Sequence, residues 1–109
     1  MASTYKVLAQ SAPSATTNTD VYTVGSGKSA VVSTITVCNR AASSATYRIA
    51  IRPAAATLAN QHYIVYDTTV PANDTISLTL GVTLAATDVV TVYASTANLS
   101  FNLFGAEIA

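Results

Sequence analysis

The sequence predicts an all-β protein: a single antiparallel β-sandwich, jelly-roll-like, built from about eight short strands. Three observations predict it. Runs of β-branched and aromatic residues recur at roughly ten-residue spacing with turn chemistry between them. No segment holds a helical apolar period for more than one turn. And Thr46–Pro53 alternates with period two, setting Tyr47, Ile49 and Ile51 on one side and Thr46, Arg48, Ala50 and Arg52 on the other. Pro53 closes that strand because proline cannot donate to a ladder.

The elements follow in order. Ser3–Gln10 reads as a strand in which Tyr5, Val7 and Ala9 alternate with Lys6, Leu8 and Gln10. Ser11–Thr19 is small, polar and broken by Pro13, so it reads as a loop or extended arm. Residues 1–19 are thus an N-terminal strand and arm, and residues 20–109 the sandwich, within one domain overall. Asp20–Val24 is a short strand, and Gly25-Ser26-Gly27 a turn. Ala30–Asn39 is the longest β-branched run. Its strict alternation groups Val31, Ile35 and Val37 on one face and Val32, Thr34, Thr36 and Cys38 on the other, as in a central strand covered on both sides. Arg40–Ala45 is a small-residue connection, which pairs that strand with Thr46–Arg52 as an antiparallel hairpin.

Pro53–Asn60 reads as a loop with one turn, being too short for an isolated helix. His62–Asp67 is a strand, and Val70–Asp74 a turn set by Pro71, Asn73 and Asp74. Thr75–Leu80 alternates, with Ile76, Leu78 and Leu80 inward. Gly81 breaks it, and Val82–Ala85 is a short continuation. Val89–Ala94 is a buried strand. Asn98–Phe104 closes the set with Leu99, Phe101 and Leu103 on one face, leaving Gly105–Ala109 as a tail.

Composition narrows the function classes. Only 9% of the 109 residues are charged, against about 25% in an ordinary domain. So little charge suits either a surface solvated by Ser, Thr and Asn or one largely covered by partners in an oligomer or large assembly, and the second is the reading favoured. The formal net charge is zero, and Lys6, Lys28, Arg40, Arg48 and Arg52 are spread along the chain, so no basic face for nucleic acid is expected. Cys38 is the one cysteine, which leaves no intrachain disulfide and no thiolate metal cluster. The N-terminal stretch lacks the apolar run of a signal peptide and no stretch is apolar enough to span a membrane, so a cytoplasm is the default location.

No motif spells out a reaction. His62 is the one histidine, and neither a G-x-S-x-G nor a Cys–His context accompanies it, so it reads as a satisfied surface or interface residue. The carboxylates are Asp20, Asp67, Asp74, Asp88 and Glu107, and most fall at strand ends or turns, where aspartate serves the backbone. No cofactor, metal or catalytic group is therefore expected. The contact-forming residues stand out instead. Arg40, Arg48 and Arg52 are the candidate interface cations, because guanidinium forms bidentate pairs and is favoured at interfaces. Tyr5, Tyr66 and Tyr93 are the candidate interface rings, while Tyr47 and Tyr63 read as core or core-edge. A sugar platform would draw on His62, Tyr63, Tyr66 and Asp67.

Five stretches carry a resemblance: Leu8–Val24 (LAQSAPSATTNTDVYTV), Ala30–Arg40 (AVVSTITVCNR), Tyr47–Pro53 (YRIAIRP), Leu58–Ile64 (LANQHYI) and Asp88–Phe101 (DVVTVYASTANLSF). Together they resemble small structural proteins of tailed bacteriophages, particularly those of cyanobacteria and other aquatic bacteria, over nearly the whole chain. The resemblance implies a virion component made in the host bacterial cytoplasm, without enzymatic activity. It implies a capsid cement or decoration protein that forms a homo-oligomer, with a trimer favoured, and contacts the major capsid protein or other virion proteins. Neck or collar proteins, head fibres and tail proteins are near neighbours in this resemblance, and a carbohydrate-binding receptor module is the alternative from another class. It transfers no catalytic residue.

Overall fold

The computed structural model describes residues 2–109; Met1, the first residue of the expected arm, lies outside them. Eight strands form: β1 (Ser3–Ser11), β2 (Thr19–Thr23), β3 (Ser29–Asn39), β4 (Ala45–Arg52), β5 (Tyr63–Val70), β6 (Thr75–Leu84), β7 (Val89–Ala94) and β8 (Leu99–Ile108). They make two four-stranded antiparallel sheets, ordered β1-β8-β3-β6 and β2-β7-β4-β5. Successive pairs β1·β8, β2·β7, β3·β6 and β4·β5 are those of one long hairpin rolled up on itself. This is the strand order of an eight-stranded jelly roll.

The order corrects the expected β3–β4 hairpin. β3 lies in the first sheet and β4 in the second, so residues 40–44 cross between sheets. Asn39 holds that crossing. Its buried side-chain amide donates to the carbonyls of Ser43, Val70 and Pro71 at 2.9, 3.2 and 3.3 Å, and its Oδ1 accepts from the Ala41 N–H at 3.0 Å.

A line of irregularities runs across the first sheet. Register slips at Leu8 in β1 and at Ser33 in β3, both beside Phe104 and Gly105 of β8, and at Leu80–Gly81 in β6, opposite Ser33. An extra residue reverses which face the following side chains take. Ala30 and Val32 point inward before Ser33, and Ile35 and Val37 after it, so Val31 does not share their face. The outer face of β3 is half-exposed, not covered. Leu80, expected inward, is 48% exposed within the β6 bulge. Gly81 does not end that strand; its φ of 66° lets the bulge form and β6 run on to Leu84.

Gly105 likewise starts no tail. It sits inside β8, where a Cβ would lie 1.9 Å from the Val31 carbonyl oxygen, so the residue is glycine because two backbones meet there. Residues 105–108 pair with both β1 and β3. At the other end, β1 is the edge strand of the first sheet and so part of the sandwich.

The core lies between the sheets. Tyr47 and Ile49 of β4 meet Phe101 and Leu103 of β8 and Ile35 of β3, all essentially fully buried. The Tyr47 and Phe101 rings pack edge to face, with centroids 6.2 Å apart. Burying each such side chain stabilises the fold by about 1.5–3 kcal/mol.

Candidate interaction site

The site is built on the alternation of β4. With Tyr47 and Ile49 buried, Arg48 projects from the outer face of the second sheet. Register puts Tyr93 of β7 directly beside it. On the other flank β5 is bulged twice, at Ile64 and at Tyr66–Asp67, the latter with Asp67 at φ 52°. Aspartate tolerates that left-handed backbone better than most residues. The bulge turns Tyr66 and Asp67 toward Arg48.

The result is a clamped guanidinium. The Arg48 Cζ lies 4.2 Å from the ring centroid of Tyr66 and 4.2 Å from that of Tyr93. Its Nε and Nη2 donate to the two oxygens of Asp67 at 2.7 and 3.3 Å. The hydrogen bond that Arg48 donates to Asp67 pushes the guanidinium pKa above its ordinary value, so the charge is permanent. Tyr63 meets Tyr66 edge to face at 4.9 Å. Arg48 Nη1 has no hydrogen-bond partner among the described residues, and Tyr66 remains 57% exposed. A cation fixed by two rings and a carboxylate has little rotamer entropy left to lose on binding. It can donate to a carboxylate or carbonyl of a partner.

The other sequence candidates are dispersed. Arg52 shares the outer face, but its donors are turned to the molecule itself. They reach Asp20 Oδ2 at 2.9 Å, Thr91 Oγ1 at 3.0 Å and the Ala56 carbonyl at 2.9 Å. Thr91 donates in turn to Asp20 Oδ1 at 2.8 Å. Arg40 sits at the end of the sandwich and donates to the Ala97 carbonyl at 3.0 Å, away from any stripe with Arg48. Tyr5 stands on the opposite sheet and is 86% exposed.

Two readings change. His62 is buried, not at the surface, and lies in a turn (Asn60–His62) before β5; its Nδ1 accepts from the Ala59 N–H at 3.1 Å. It therefore leaves the sugar-platform set, and one face of the Tyr66 ring is covered by Arg48. Tyr63 is half-buried and joins the outer-face cluster, not the core. The functional residue that sequence reasoning missed is Asp67 as the partner of Arg48. Nothing in a strand-like HYIVYD announces a bulge, although an aspartate after two exposed-type tyrosines is compatible with one.

Among the described residues no three His, Cys, Asp or Glu side chains are grouped so as to hold a metal ion, and no helix is long and apolar enough to cross a membrane. No protein-family model matches the chain, and no curated protein is similar to it in sequence.

Proposed function

We propose that the chain is a non-enzymatic structural protein of a tailed-bacteriophage particle, a cement or decoration protein that oligomerises and reinforces contacts between capsid subunits. The virion assignment rests on the sequence resemblance. The observation that carries the binding role is the Arg48 guanidinium held between Tyr66 and Tyr93 on an exposed sheet face. Arginine and tyrosine dominate binding hot spots, and a preorganised pair loses little freedom on docking. The action is mechanical. Each copy adds contact area across neighbouring shell subunits, and a stable interface buries about 1,600 Å² in total. A neck, head-fibre or tail position would use the same hot spot, so the position is what the experiment reads.

Electron microscopy of the intact particle tests the assignment: density for this jelly roll is expected on the capsid exterior. Particles without the chain would overturn the virion reading. Arg48→Glu tests the hot spot. It should lower particle binding by at least about thirtyfold, the effect of losing roughly 2 kcal/mol at a hot spot, with the far-UV spectrum unchanged. Undiminished binding would remove Arg48 from the interface, and glycan binding by the isolated protein would point to a receptor module instead.

A further inference from the structure

The first sheet presents a second surface that the Arg48 face does not involve. Tyr5, Ala106 and Val31 are in register across β1, β8 and β3, as are Val7, Phe104 and Thr34. Tyr5 is 86%, Val7 45% and Phe104 36% exposed, so these two rows form the apolar end of the outer face, and the next row, Gln10, Asn102 and Thr36, is polar. A groove of about 580 Å³ lies along it, walled by Tyr5, Val31, Phe104, Ala106 and Ile108.

This face runs without interruption to an open sheet edge. β1 ends the sheet, so one side of its backbone is unpaired. Proteins usually guard such edges with short strands, prolines, bulges or charges. The other three edges are guarded or polar. β2 has five residues, is bulged at Val21 and exposes no large apolar side chain; β5 is bulged twice; β6 shows Thr75, Ser77 and Thr79 outward. On β1 the single charge, Lys6, is tied to Glu107 at 3.1 Å. The bulge at Leu8 leaves Ser3–Val7 as the regular part, and Tyr5 is its midpoint.

We infer that β1 is a self-association edge: two copies of this chain pair their Ser3–Val7 segments antiparallel about a two-fold axis at Tyr5, making one continuous sheet of both copies. A strand added there must be extended and bring apolar side chains to the Tyr5 and Val7 side of the sheet, and Ser3–Val7 itself does so, with Tyr5 and Val7 on alternate positions and Lys6 as its one charge. Centring on Tyr5 sets Tyr5 opposite Tyr5, Thr4 opposite Lys6 and Ser3 opposite Val7. Aromatic pairs across strands are favourable, whereas centring on Lys6 would oppose two like charges. A two-fold contact uses the same patch on both copies and closes after two. Five residues a side place it in the small, weak class of interfaces. The inference stands independently of the virion reading.

Sedimentation equilibrium from roughly 5 to 500 µM, the range of weak complexes, tests it. The chain should pass from monomer to dimer. Tyr5→Glu, a change at an exposed position, should weaken the dimer at least tenfold with the far-UV spectrum unchanged. Ser77→Glu on the β6 edge should leave it intact. Amide exchange on the unaltered protein gives a second measure: within Ser3–Val7 it should slow as concentration rises. A monomer at every concentration, a trimer, a dimer indifferent to Tyr5→Glu, or one broken by Ser77→Glu would overturn the inference. Should Tyr5→Glu fail to fold, concentration-independent exchange at Ser3–Val7 would overturn it alone.

Discussion

Tyr47 carries the sharpest single-residue conflict in the molecule. Its ring is fully buried against Phe101, and its hydroxyl is the one buried side-chain polar atom without a hydrogen-bond partner among the described residues. The same burial pushes its phenol pKa up. An unpaired buried hydroxyl costs about 1–3 kcal/mol, while the ring repays burial through area and edge-to-face packing. Tyr47→Phe keeps the ring and removes the orphan oxygen. Urea unfolding should show it more stable by about 1 kcal/mol, and thermal unfolding a midpoint higher by roughly 4 °C for a domain this size. A loss of that size would mean the hydroxyl has a partner. Arg48, one residue on, shows the opposite economy. Its Nε and Nη2 are engaged by Asp67 outside the core, and its alternation with Tyr47 is what the sequence showed most clearly.

At the scale of elements, the meeting of β3 and β8 is set by Gly105. Alanine there would drive a methyl into the Val31 carbonyl, and since both partners are backbone the strands themselves must separate. Gly105→Ala should therefore destabilise by about 3 kcal/mol, the upper part of the overpacking range, read as a lower denaturation midpoint with an unchanged slope. Nearby, Glu107 ties β8 to both sheets. It accepts from Tyr22 Oη of β2 at 2.6 Å and from Lys6 Nζ at 3.1 Å. These bonds, Tyr22's first, hold its carboxyl below the usual range, and burial followed by the Glu107 bond pushes the Tyr22 phenol up. The carboxylate's contribution is complete above about pH 4.3, its unfolded value, and is lost as pH falls through the lower folded one. The phenol's contribution is complete below about pH 10 and is lost as pH rises through its higher folded value. The stability difference between the native chain and Tyr22→Phe should thus be largest near neutral pH and shrink toward both extremes. A pH-independent difference in urea unfolding would refute the coupling. These elements also show where sequence reading stops. Strand existence was legible because Thr46–Arg52, Thr75–Thr79 and Val89–Ala94 each follow local period-two or β-branched patterns. The bulges at Ser33, Leu80–Gly81 and Tyr66–Asp67 were not, because a one-residue slip is decided by the neighbouring strand. The Arg48 site depends on one of them, so its cation and rings were legible and its carboxylate was not.

The whole molecule is a slab measuring 45 × 28 × 19 Å, thin enough that each sheet has one face in the core and one outside. Its two broad faces differ in chemistry. The β4–β5–β7 face carries the clamped cation, and the β1–β8–β3 face has an apolar end around Tyr5 and Phe104 that reaches an open edge, so one molecule can engage two different surfaces at once. The rolled-hairpin topology brings residues from opposite ends of the chain side by side. Ala2 and Ala109 exchange both backbone hydrogen bonds, at 3.1 and 2.9 Å. The β2–β3 turn, in contrast, is exposed at all of Gly25–Lys28 and is closed by the Lys28 N–H donating to the Gly25 carbonyl at 3.2 Å. The order of the strands along the chain is thus separable from their order in space. A permutant with residue 109 joined to residue 2 through a short glycine linker, and opened between Ser26 and Gly27, keeps every sheet pairing and loses only that turn. It should fold to the same far-UV spectrum with a midpoint lowered by no more than roughly 8 °C, the shift expected for one to two kcal/mol. Deleting residues 2–11 removes β1, bares the β8 edge and uncovers the core that Leu8 and Ala9 pack against, and should abolish cooperative unfolding. If the truncation unfolds as cooperatively as the permutant, β1 is an appendage to the sandwich; if only the permutant does, the sandwich is the unit that folds, and it includes the strand proposed to pair with a second copy.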